Sequence, residues 1–417
     1  MRIAIVGYGT AGQAAAILLS RDGHQVEVFE RAPKLGPVGA GFLLQPVGLQ
    51  VLRELGLLDV ALQHGAIVRR LYGESTDGRV VMDMRYRDLD TRLFGLSMQR
   101  GALFGLLDEV WTEGRQVHCG HHVVDVEAER GVLRFKHGEE AGPFDLLLIA
   151  DGSASVLRDQ VTTPGLNRPY PWGAQWCLVE QADWPWANAL TQRYKLARRM
   201  AGMLPVGTRP GDATPRLSFF WSTPVASMEQ PSPTPAQWRE QLVDVWPEAA
   251  TRMQDTPVPE GLAQARYRDT HARSWGRGRA WLLGDAAHAM SPQLGQGVNM
   301  ALLDAVGLRD ALRNVGERRP LAEVLHEFER QRRAHLRMYH FWSRWLTPLF
   351  QSDRDRIAYL RDRWFNRLAQ LPIGRGQTLR VLTGTRHGWF GTMRLDDDLL
   401  QRMDAHQSMN CNRASSA

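Results

Sequence analysis

Apolar and polar positions along the chain predict buried strands that alternate with helices. The run Ile3–Val6 is continuously apolar, and Ala14, Ile17 and Leu18 then recur at helical spacing before Gly23. Gln25–Glu30 has the composition of a second strand. A strand, a helix and a second strand in this order predict a parallel sheet covered by helices.

Two later apolar runs extend this pattern. Leu146–Ile149 and Trp281–Leu283 have the continuous hydrophobicity of strands buried on both faces. A long helix is predicted after the second run, because Val298, Ala301, Leu302, Ala305 and Leu308 recur at near-3.6 spacing.

The segment between these runs has a different pattern. Residues 166–270 are rich in tryptophan, and Arg216–Trp221 reads as a strand with Leu217, Phe219 and Trp221 on one face. Thr234–Gln237 has the pattern of a helix capping box. This segment therefore predicts a separate sheet domain inserted into the first fold.

We therefore expect an α/β protein with three units. A Rossmann-like dinucleotide-binding domain takes residues 1–72, 97–165 and 272–345. A substrate-binding β-sheet domain takes residues 73–96 and 166–271, and a helical C-terminal region with a tail takes residues 346–417.

Composition narrows the class of protein. The chain has 417 residues, of which 43% are hydrophobic and 23% charged, which excludes a disordered, collagen-like or disulfide-framework protein. Its three cysteines are scattered, which favours a reducing compartment, and we expect a cytoplasmic protein. No apolar run is long enough to cross a bilayer. The net charge of +6 comes from dispersed arginines, so we expect no nucleic-acid partner.

The first glycines carry the clearest chemistry. Gly7 permits a tight turn after the strand, Gly9 lets backbone approach a pyrophosphate, and Gly12 lets the helix pack closely on the strand. Glu30 ends the second strand, where a carboxylate can accept from ribose hydroxyls. A signal peptide is the alternative, but it explains neither the glycine spacing nor the second strand. The pattern predicts a dinucleotide site.

Two histidine groups invite other interpretations. His118–His122 contains three histidines and a cysteine, but neighbours on a strand point to opposite faces and no distant ligand pair is evident, so we expect no metal. His288 could be a general base, although we favour a role in shaping the turn around it.

Three motifs together resemble a known family. They are Gly7-x-Gly9-x-x-Gly12 with Glu30-Arg31, Asp151-Gly152-x-x-Ser155-x-x-Arg158, and Gly284-Asp285-Ala286-Ala287-His288 followed by Pro292-x-x-Gly295-Gln296-Gly297-x-Asn299. Over roughly residues 1–345 the chain resembles the class A FAD-dependent aromatic hydroxylases, which include para-hydroxybenzoate hydroxylase.

The resemblance implies FAD as cofactor and a role for each motif. The first motif and Glu30 would hold the ADP half, Arg100 would face the pyrophosphate, and Asp285 would accept from a ribityl hydroxyl. Asp151-Gly152 would serve both FAD and the nicotinamide nucleotide. The residues implied as cofactor-binding are Gly7, Gly9, Thr10, Ala11, Gly12, Glu30, Arg31, Gly41, Arg100, Asp151, Gly152, Gly284, Asp285, Pro292, Gly295, Gln296, Gly297, Val298 and Asn299.

The loop from Pro292 to Gly297 would lie against the flavin ring, with Pro292, Gly295 and Gln296 as its catalytic positions. This loop precedes the N-terminus of the predicted helix that begins near Val298, whose positive end can stabilise negative charge on the reduced ring. Gln45, Tyr194, Phe219 and Trp221 are candidates for contact with the substrate, although core packing would equally explain the three aromatic residues.

The implied activity is that of a monooxygenase that consumes NAD(P)H and O₂. One oxygen atom would pass from a flavin C4a-hydroperoxide to an aromatic or other electron-rich small molecule. An epoxidase, an N-hydroxylase, a reductase or a non-catalytic flavin-binding sensor stays open as an alternative. We expect a monomer or homodimer. Residues 340–346 could form a membrane-surface patch, but we favour their packing on the FAD domain.

Overall fold

The structure is a computed structural model that describes residues 1–36, 39–163 and 165–415. Strands and helices are numbered in chain order. The predicted fold class, a Rossmann-like domain with an inserted β-sheet domain and a helical C-terminal region, is confirmed.

A six-stranded sheet forms the centre of the dinucleotide-binding part. Its strands are β1 (Arg2–Val6), β2 (Gln25–Glu30), β8 (Gln116–Cys119), β12 (Leu146–Ile149), β18 (Gly276–Arg277) and β19 (Ala280–Leu282). Their order is β18-β19-β12-β1-β2-β8, and all neighbours are parallel except β18 and β19. The apolar residues of the two central strands, Ile3–Val6 of β1 and Leu146–Ile149 of β12, are buried because this sheet is covered on both faces.

Helices and smaller sheets surround this centre. The helices are α1 (Thr10–Arg21), α2 (Pro46–Glu54), α3 (Leu58–His64), α4 (Arg100–Val110), α5 (Arg158–Val161), α9 (Asp285–His288) and α10 (Gly297–Leu312). One small sheet pairs β3 (Gly41–Leu44), β7 (Gly95–Gln99) and β4 (Ala66–Val68), and another pairs β9 (Val123–Glu127), β10 (Val132–Phe135) and β11 (Glu140–Ala141).

The inserted part is a seven-stranded sheet. Its strands are β5 (Arg70–Ser75), β6 (Val80–Arg85), β13 (Leu166–Glu180), β14 (Ala189–Lys195), β15 (Arg199–Arg209), β16 (Asp212–Pro224) and β17 (Ala263–His271), in the order β17-β13-β16-β15-β14-β5-β6. The boundary expected between residues 72 and 73 therefore falls inside β5.

One face of the seven-stranded sheet is covered by α7 (Pro235–Val245) and α8 (Pro247–Arg252), after the short helix α6 (Val225–Met228). The predicted capping box is confirmed, because Thr234 and Gln237 exchange side-chain and backbone hydrogen bonds at the start of α7.

The C-terminal part is helical. It contains α11 (Leu321–Phe350), α12 (Asp355–Ala369), α13 (Pro372–Leu382), the short hairpin β20 (Arg386–His387) and β21 (Gly391–Thr392), and α14 (Asp397–Ser415). The boundary expected between residues 345 and 346 lies inside α11, so no break separates the two units there. Among the described residues, no helix is long and apolar enough to span a membrane.

Candidate cofactor and substrate site

The turn after β1 is built for close backbone approach. Gly7 has φ +101°, and a Cβ placed there would lie 2.6 Å from the carbonyl oxygen of Ala150. A Cβ at Gly12 would lie 2.1 Å from the Gly7 oxygen, whereas one at Gly9 would meet nothing within 4 Å. Close packing within the protein therefore requires glycine at positions 7 and 12, whereas the space beside Gly9 is open. Gly9 is the N-cap of α1 and offers no side chain to the first N–H groups.

Glu30 lies beside this turn, at the end of β2. Its Oε2 accepts from the Tyr8 backbone N–H at 2.9 Å, and its Oε1 accepts from the Ala32 N–H at 2.9 Å. These bonds orient the carboxylate, and each oxygen has a further lone pair for a hydroxyl group. Arg31 is exposed next to it.

Asp151 and Gly152 follow β12, so they lie at the same edge of the sheet as the first turn. The Asp151 Oδ1 atom is buried and has no partner among the described residues. Burial raises the pKa of this carboxyl above its usual value, and the nearby Ser155 hydroxyl and the Arg158 charge oppose that shift. A buried acceptor without a donor is the feature expected of a site that a ligand completes.

Arg158 connects the second motif to the third. Its buried guanidinium donates from Nη2 to the Ser153 carbonyl at 3.0 Å and from Nε to the Ala286 carbonyl. Arg158 belongs to the second sequence motif, but the motif alone indicates no function for it. It is a positioning residue, because it holds the loops of Asp151 and Asp285 at one place.

The third motif begins at Gly284, which has φ +61° and would meet the Ala11 side chain at 2.9 Å if it carried a Cβ. Asp285 is exposed at the start of α9. Its Oδ1 lies 3.9 Å from the position that a Cβ of Gly297 would take, so the carboxylate is next to the N-terminus of α10.

A buried ion-pair network supports this motif from below. Asp304 accepts from the Gly284 N–H at 3.0 Å and from Arg332 Nε at 2.7 Å, and its Oδ2 lies 2.5 Å from His288 Nε2. Burial alone would raise the pKa of Asp304, but His288 and Arg332 hold it below its usual value. His288 thus helps to shape the turn, in agreement with the interpretation favoured from the sequence.

The loop before α10 exposes backbone and buries one side chain. Pro292 and Gly295 are exposed, and Gly295 is left-handed with φ +61°. Gln296, in contrast, is buried, and its Nε2 donates to the carbonyls of Val381 at 3.1 Å and Leu382 at 2.7 Å. The Gln296 side chain therefore ties the loop to α13, and Gly297 and the half-buried Val298 begin α10.

Asn299 and Gln45 join α10 to the strand β3. Asn299 Oδ1 accepts from the Gln45 N–H at 2.8 Å, and a Cβ at Gly48 would collide with that oxygen at 2.2 Å. The Gln45 side chain is fully buried and accepts from the Tyr86 hydroxyl at 2.7 Å, while its Nε2 has no partner among the described residues. Gln45 therefore remains a candidate for ligand contact.

Gly41 begins β3 and pairs with Gln99 at the end of β7, directly before Arg100. The Gly41 N–H donates to Ser218 Oγ at 3.2 Å, and a Cβ at Gly41 would lie 2.3 Å from Val206, so β3 packs closely on the seven-stranded sheet. Arg100 is exposed at the start of α4, and its side chain lies over Gly39.

The predictions for Phe219 and Trp221 as substrate contacts are wrong. Both rings lie 5.9 Å from the ring of Trp238 on α7, in the core between the sheet and that helix. Ser218, which meets Gly41, alternates with them and faces the opposite side. The sequence showed which residues share a face but could not show which face meets the dinucleotide-binding part.

Tyr194 is also a core residue. It is buried, its ring centroid is 5.3 Å from that of Phe350, and its hydroxyl donates to Gln192 Oε1 at 2.8 Å. The guanidinium of Arg361 covers its ring at 4.9 Å. These contacts show that the Tyr194 side chain packs beneath α11 and α12.

The histidines near β8 have packing contacts. His118 stacks on Phe29 with centroids 4.9 Å apart, and His121 packs on Phe135 at 5.2 Å. Within the described ranges no group of three or more His, Cys, Asp or Glu side chains could hold a metal ion.

These features fit FAD. Gly9 leaves an open approach at the N-terminus of α1, Glu30 is oriented to accept from ribose, and Asp151 has an unpartnered buried oxygen. Asp285 and the N-terminus of α10 lie together at the far end of the same edge. An elongated dinucleotide needs such a row of separate contacts.

Comparison with known proteins agrees with an FAD-binding site. Residues 1–340 match the family described as FAD binding domain. The chain is 29% identical over 360 residues to 6-hydroxynicotinate 3-monooxygenase of Pseudomonas fluorescens, covering 80% of this chain and 88% of that protein. It is 29% identical over 389 residues to kynurenine 3-monooxygenase of Salinispora arenicola, covering 86% and 81%.

Solved structures share the fold. Klebsiella pneumoniae HpxO complexed with FAD and uric acid superposes with a TM-score of 0.74 at 23% identity, covering 92% of this chain and 97% of that one. The tetrameric form of 2-methyl-3-hydroxypyridine-5-carboxylic acid oxygenase gives a TM-score of 0.73 at 24% identity, covering 87% and 96%. The chain belongs to the FAD binding domain family and, within it, to the class A FAD-dependent aromatic hydroxylases.

Proposed function

We propose that this FAD-dependent monooxygenase hydroxylates a small, flat, electron-rich aromatic or heteroaromatic molecule and consumes NAD(P)H and O₂. The observation that carries the proposal is the meeting of three distant motifs at one sheet edge, which Arg158 and the Asp304 network hold together. Relatives named for hydroxynicotinate and kynurenine support the substrate class.

The ADP half of FAD would lie along α1. The N–H groups that follow Gly9 would donate to the pyrophosphate, which the positive end of the helix also favours. Glu30 would accept from the ribose, and Arg100 would bring a positive charge to the phosphates. Asp151 would take a hydroxyl or amide donor of FAD or of the passing nicotinamide nucleotide on its free oxygen.

The flavin ring would lie against the exposed backbone of Pro292 and Gly295. Asp285 would accept from the ribityl chain, and the N-terminus of α10 would stabilise negative charge that develops on the reduced ring. Gln296 would act through position, because its side chain anchors the loop to α13.

The substrate would bind between this loop and the sheet face that carries Ser218, Phe220 and Ser222. Phe220 is half-buried and packs over Gly202, and the neighbouring Ser218 contacts Gly41. We propose Phe220 in place of Phe219 and Trp221 as the aromatic wall of the pocket. The unpartnered Gln45 amide would donate to a substrate or flavin oxygen.

When bound, FAD supplies the electron transfer from NAD(P)H and the activation of O₂. The protein's part is to bind both partners, orient the substrate carbon and exclude water. We infer a cytoplasmic location from the few scattered cysteines, of which Cys119 and Cys177 are free, and we expect a monomer or homodimer.

The test is aerobic oxidation of NADH and NADPH by the flavin-loaded protein. It would be run alone and with phenols, aminobenzoates, hydroxypyridines, quinolones, urate and kynurenine, under ¹⁸O₂ with mass analysis of products. Several-fold stimulation by one compound, with one labelled oxygen atom in the product, is the expected result.

Two results would contradict the proposal. Stimulated oxidation that yields only hydrogen peroxide across the panel would indicate a flavoenzyme that does not hydroxylate these rings. Flavin that NADH and NADPH do not reduce, with or without any member of the panel, would favour a non-catalytic flavoprotein.

A further inference from the structure

The outward face of α12 carries large apolar side chains that no other part of the described chain covers. Tyr359, Leu360, Trp364 and Leu368 are 53%, 55%, 47% and 58% exposed. Residues 360, 364 and 368 are four apart, so their side chains form one stripe along the helix. Exposed apolar residues that are contiguous, rather than single, mark an interaction surface.

The helix itself is firmly held by its inner face. The buried Arg361 donates to the carbonyls of Leu349 at 2.9 Å and Leu196 at 3.0 Å, and Phe365 packs on Phe350 with centroids 5.5 Å apart. The apolar stripe therefore lies on the solvent side of a helix whose other side is packed against the protein.

Arginines are interleaved with this stripe. Arg356, Arg363 and Arg367 lie on the same outer face, are exposed, and have no carboxylate partner in the described part of the chain. Between residues 356 and 395 the sequence holds eight arginines and one acidic residue, Asp362, which is half-buried and paired with Arg361. This segment alone has more net positive charge than the whole protein, whose net charge is +6.

The C-terminal third of α11 exposes further aromatic rings. Phe341 packs on Trp342 at 5.5 Å and on Trp389 at 5.2 Å, and Trp345 is 62% exposed. The sequence favoured packing of residues 340–346 on the FAD domain. His340 and Ser343 do pack inward, but the other side of the same turns remains exposed.

We propose that the outer face of α12 docks on the surface of an anionic phospholipid bilayer. Aromatic and leucine side chains interleaved with arginines suit the region between headgroups and acyl chains, where the apolar groups insert and the arginines meet phosphates. Tryptophan is enriched at that depth for the same reason.

Charge argues against a second copy of the chain as the occupant. A symmetric dimer through this face would bring the same unpaired arginines opposite each other, which is unfavourable without intervening anions. An anionic bilayer supplies those anions. The proposal does not depend on which substrate the enzyme hydroxylates.

The experiment is vesicle flotation with the full flavin-loaded protein. Vesicles of phosphatidylcholine alone are compared with vesicles of phosphatidylcholine and phosphatidylglycerol in equal amounts, at low and high salt. We expect binding to the anionic vesicles only, weakened by salt. Combined Arg356→Gln, Arg363→Gln and Arg367→Gln should lower the partition coefficient by about tenfold or more.

A second variant tests the apolar stripe and a third is the control. Combined Leu360→Ser, Trp364→Ser and Leu368→Ser should also reduce binding, while flavin content and NAD(P)H oxidation stay unchanged. Combined Arg130→Gln, Arg318→Gln and Arg330→Gln removes the same charge from exposed positions elsewhere and should bind like the parent.

Three results would overturn the proposal. The first is that the parent protein fails to float with anionic vesicles. The second is that the control variant loses as much binding as the α12 arginine variant. In the third, the parent is dimeric without lipid and the stripe variant is monomeric, which would assign the face to a second copy.

Discussion

At the scale of single residues, the glycines of the first turn have separate functions. Gly7 and Gly12 are required by the packing of the protein itself, because any Cβ would enter neighbouring backbone. Gly9 is not, since its Cβ direction is open. The same motif therefore contains two positions that the packing of the fold requires and one, Gly9, that the fold does not require and that we propose for contact with FAD.

This distinction predicts different effects of two alanine variants. Gly7→Ala should destabilise the protein by about 1–3 kcal/mol, because it combines a positive φ with a 2.6 Å contact to Ala150. Gly9→Ala should unfold like the parent without flavin but bind FAD more weakly. Urea unfolding of the flavin-free protein and flavin titration separate the two effects. Equal FAD affinity of Gly9→Ala and the parent would contradict the assignment.

Asp285 is a second test at this scale. Its carboxylate is exposed, so Asp285→Ala should leave the fold intact while reducing FAD affinity about 10-fold, the usual effect of losing a hydrogen bond to a charged group. Fluorescence titration with FAD measures this. Asp285→Asn, which keeps an acceptor oxygen, is the control. Its FAD affinity should lie between that of the parent and that of Asp285→Ala. Unchanged affinity in the alanine variant would remove the ribityl contact.

At the scale of elements, the long helix α11 buries ionisable groups along one side. His340 is 4% exposed, and neither of its ring nitrogens has a hydrogen-bond partner among the described residues. Its ring centroid lies 5.2 Å from that of His271. Burial holds the pKa of His340 well below its usual value, with further lowering by His288, His271 and Arg344.

This predicts a specific acid sensitivity. A histidine with a depressed pKa in the folded state takes up its proton more readily when unfolded, so stability falls as the pH drops below about 6.5. His340→Leu should remove up to about 1.4 kcal/mol of that loss per pH unit. Urea unfolding between pH 7.5 and 5 measures the slope. The slope that remains should come from groups such as His271, whose pKa burial also lowers. An unchanged slope in the variant would show that His340 does not control it.

At the scale of the whole molecule, the orientation of the seven-stranded sheet decides which aromatic residues can meet a ligand. Phe219 is buried under α7, whereas Phe220, the next residue on β16, faces the opposite side of the sheet and packs near Tyr194 and Phe350. Adjacent residues on one strand thus belong to different layers of the protein.

The two phenylalanines should therefore respond differently to truncation. Phe219→Ala should cost about 3–5 kcal/mol of stability, as for a phenylalanine removed from a packed core. Phe220→Ala should affect stability less, and should raise the substrate KM or the fraction of NAD(P)H oxidised without product. Chemical unfolding and the ratio of product to NAD(P)H consumed are the measurements. The reverse pattern would place the pocket on the α7 side.

The sequence by itself determined the elements and motifs of the dinucleotide-binding part, because these depend on local order. The strand Ile3–Val6, the glycine turn, α1 and Glu30 follow one another within 30 residues, and the Thr234 capping box spans four. The arrangement of non-local parts was decided only by the tertiary structure. Local pattern shows that Phe219 and Trp221 share a face, but the partner of that face comes from α7, folded back over the sheet. Likewise, the Arg158 bridge and the Asp304 network join residues more than a hundred and about thirty positions apart, respectively, so no local pattern specifies them.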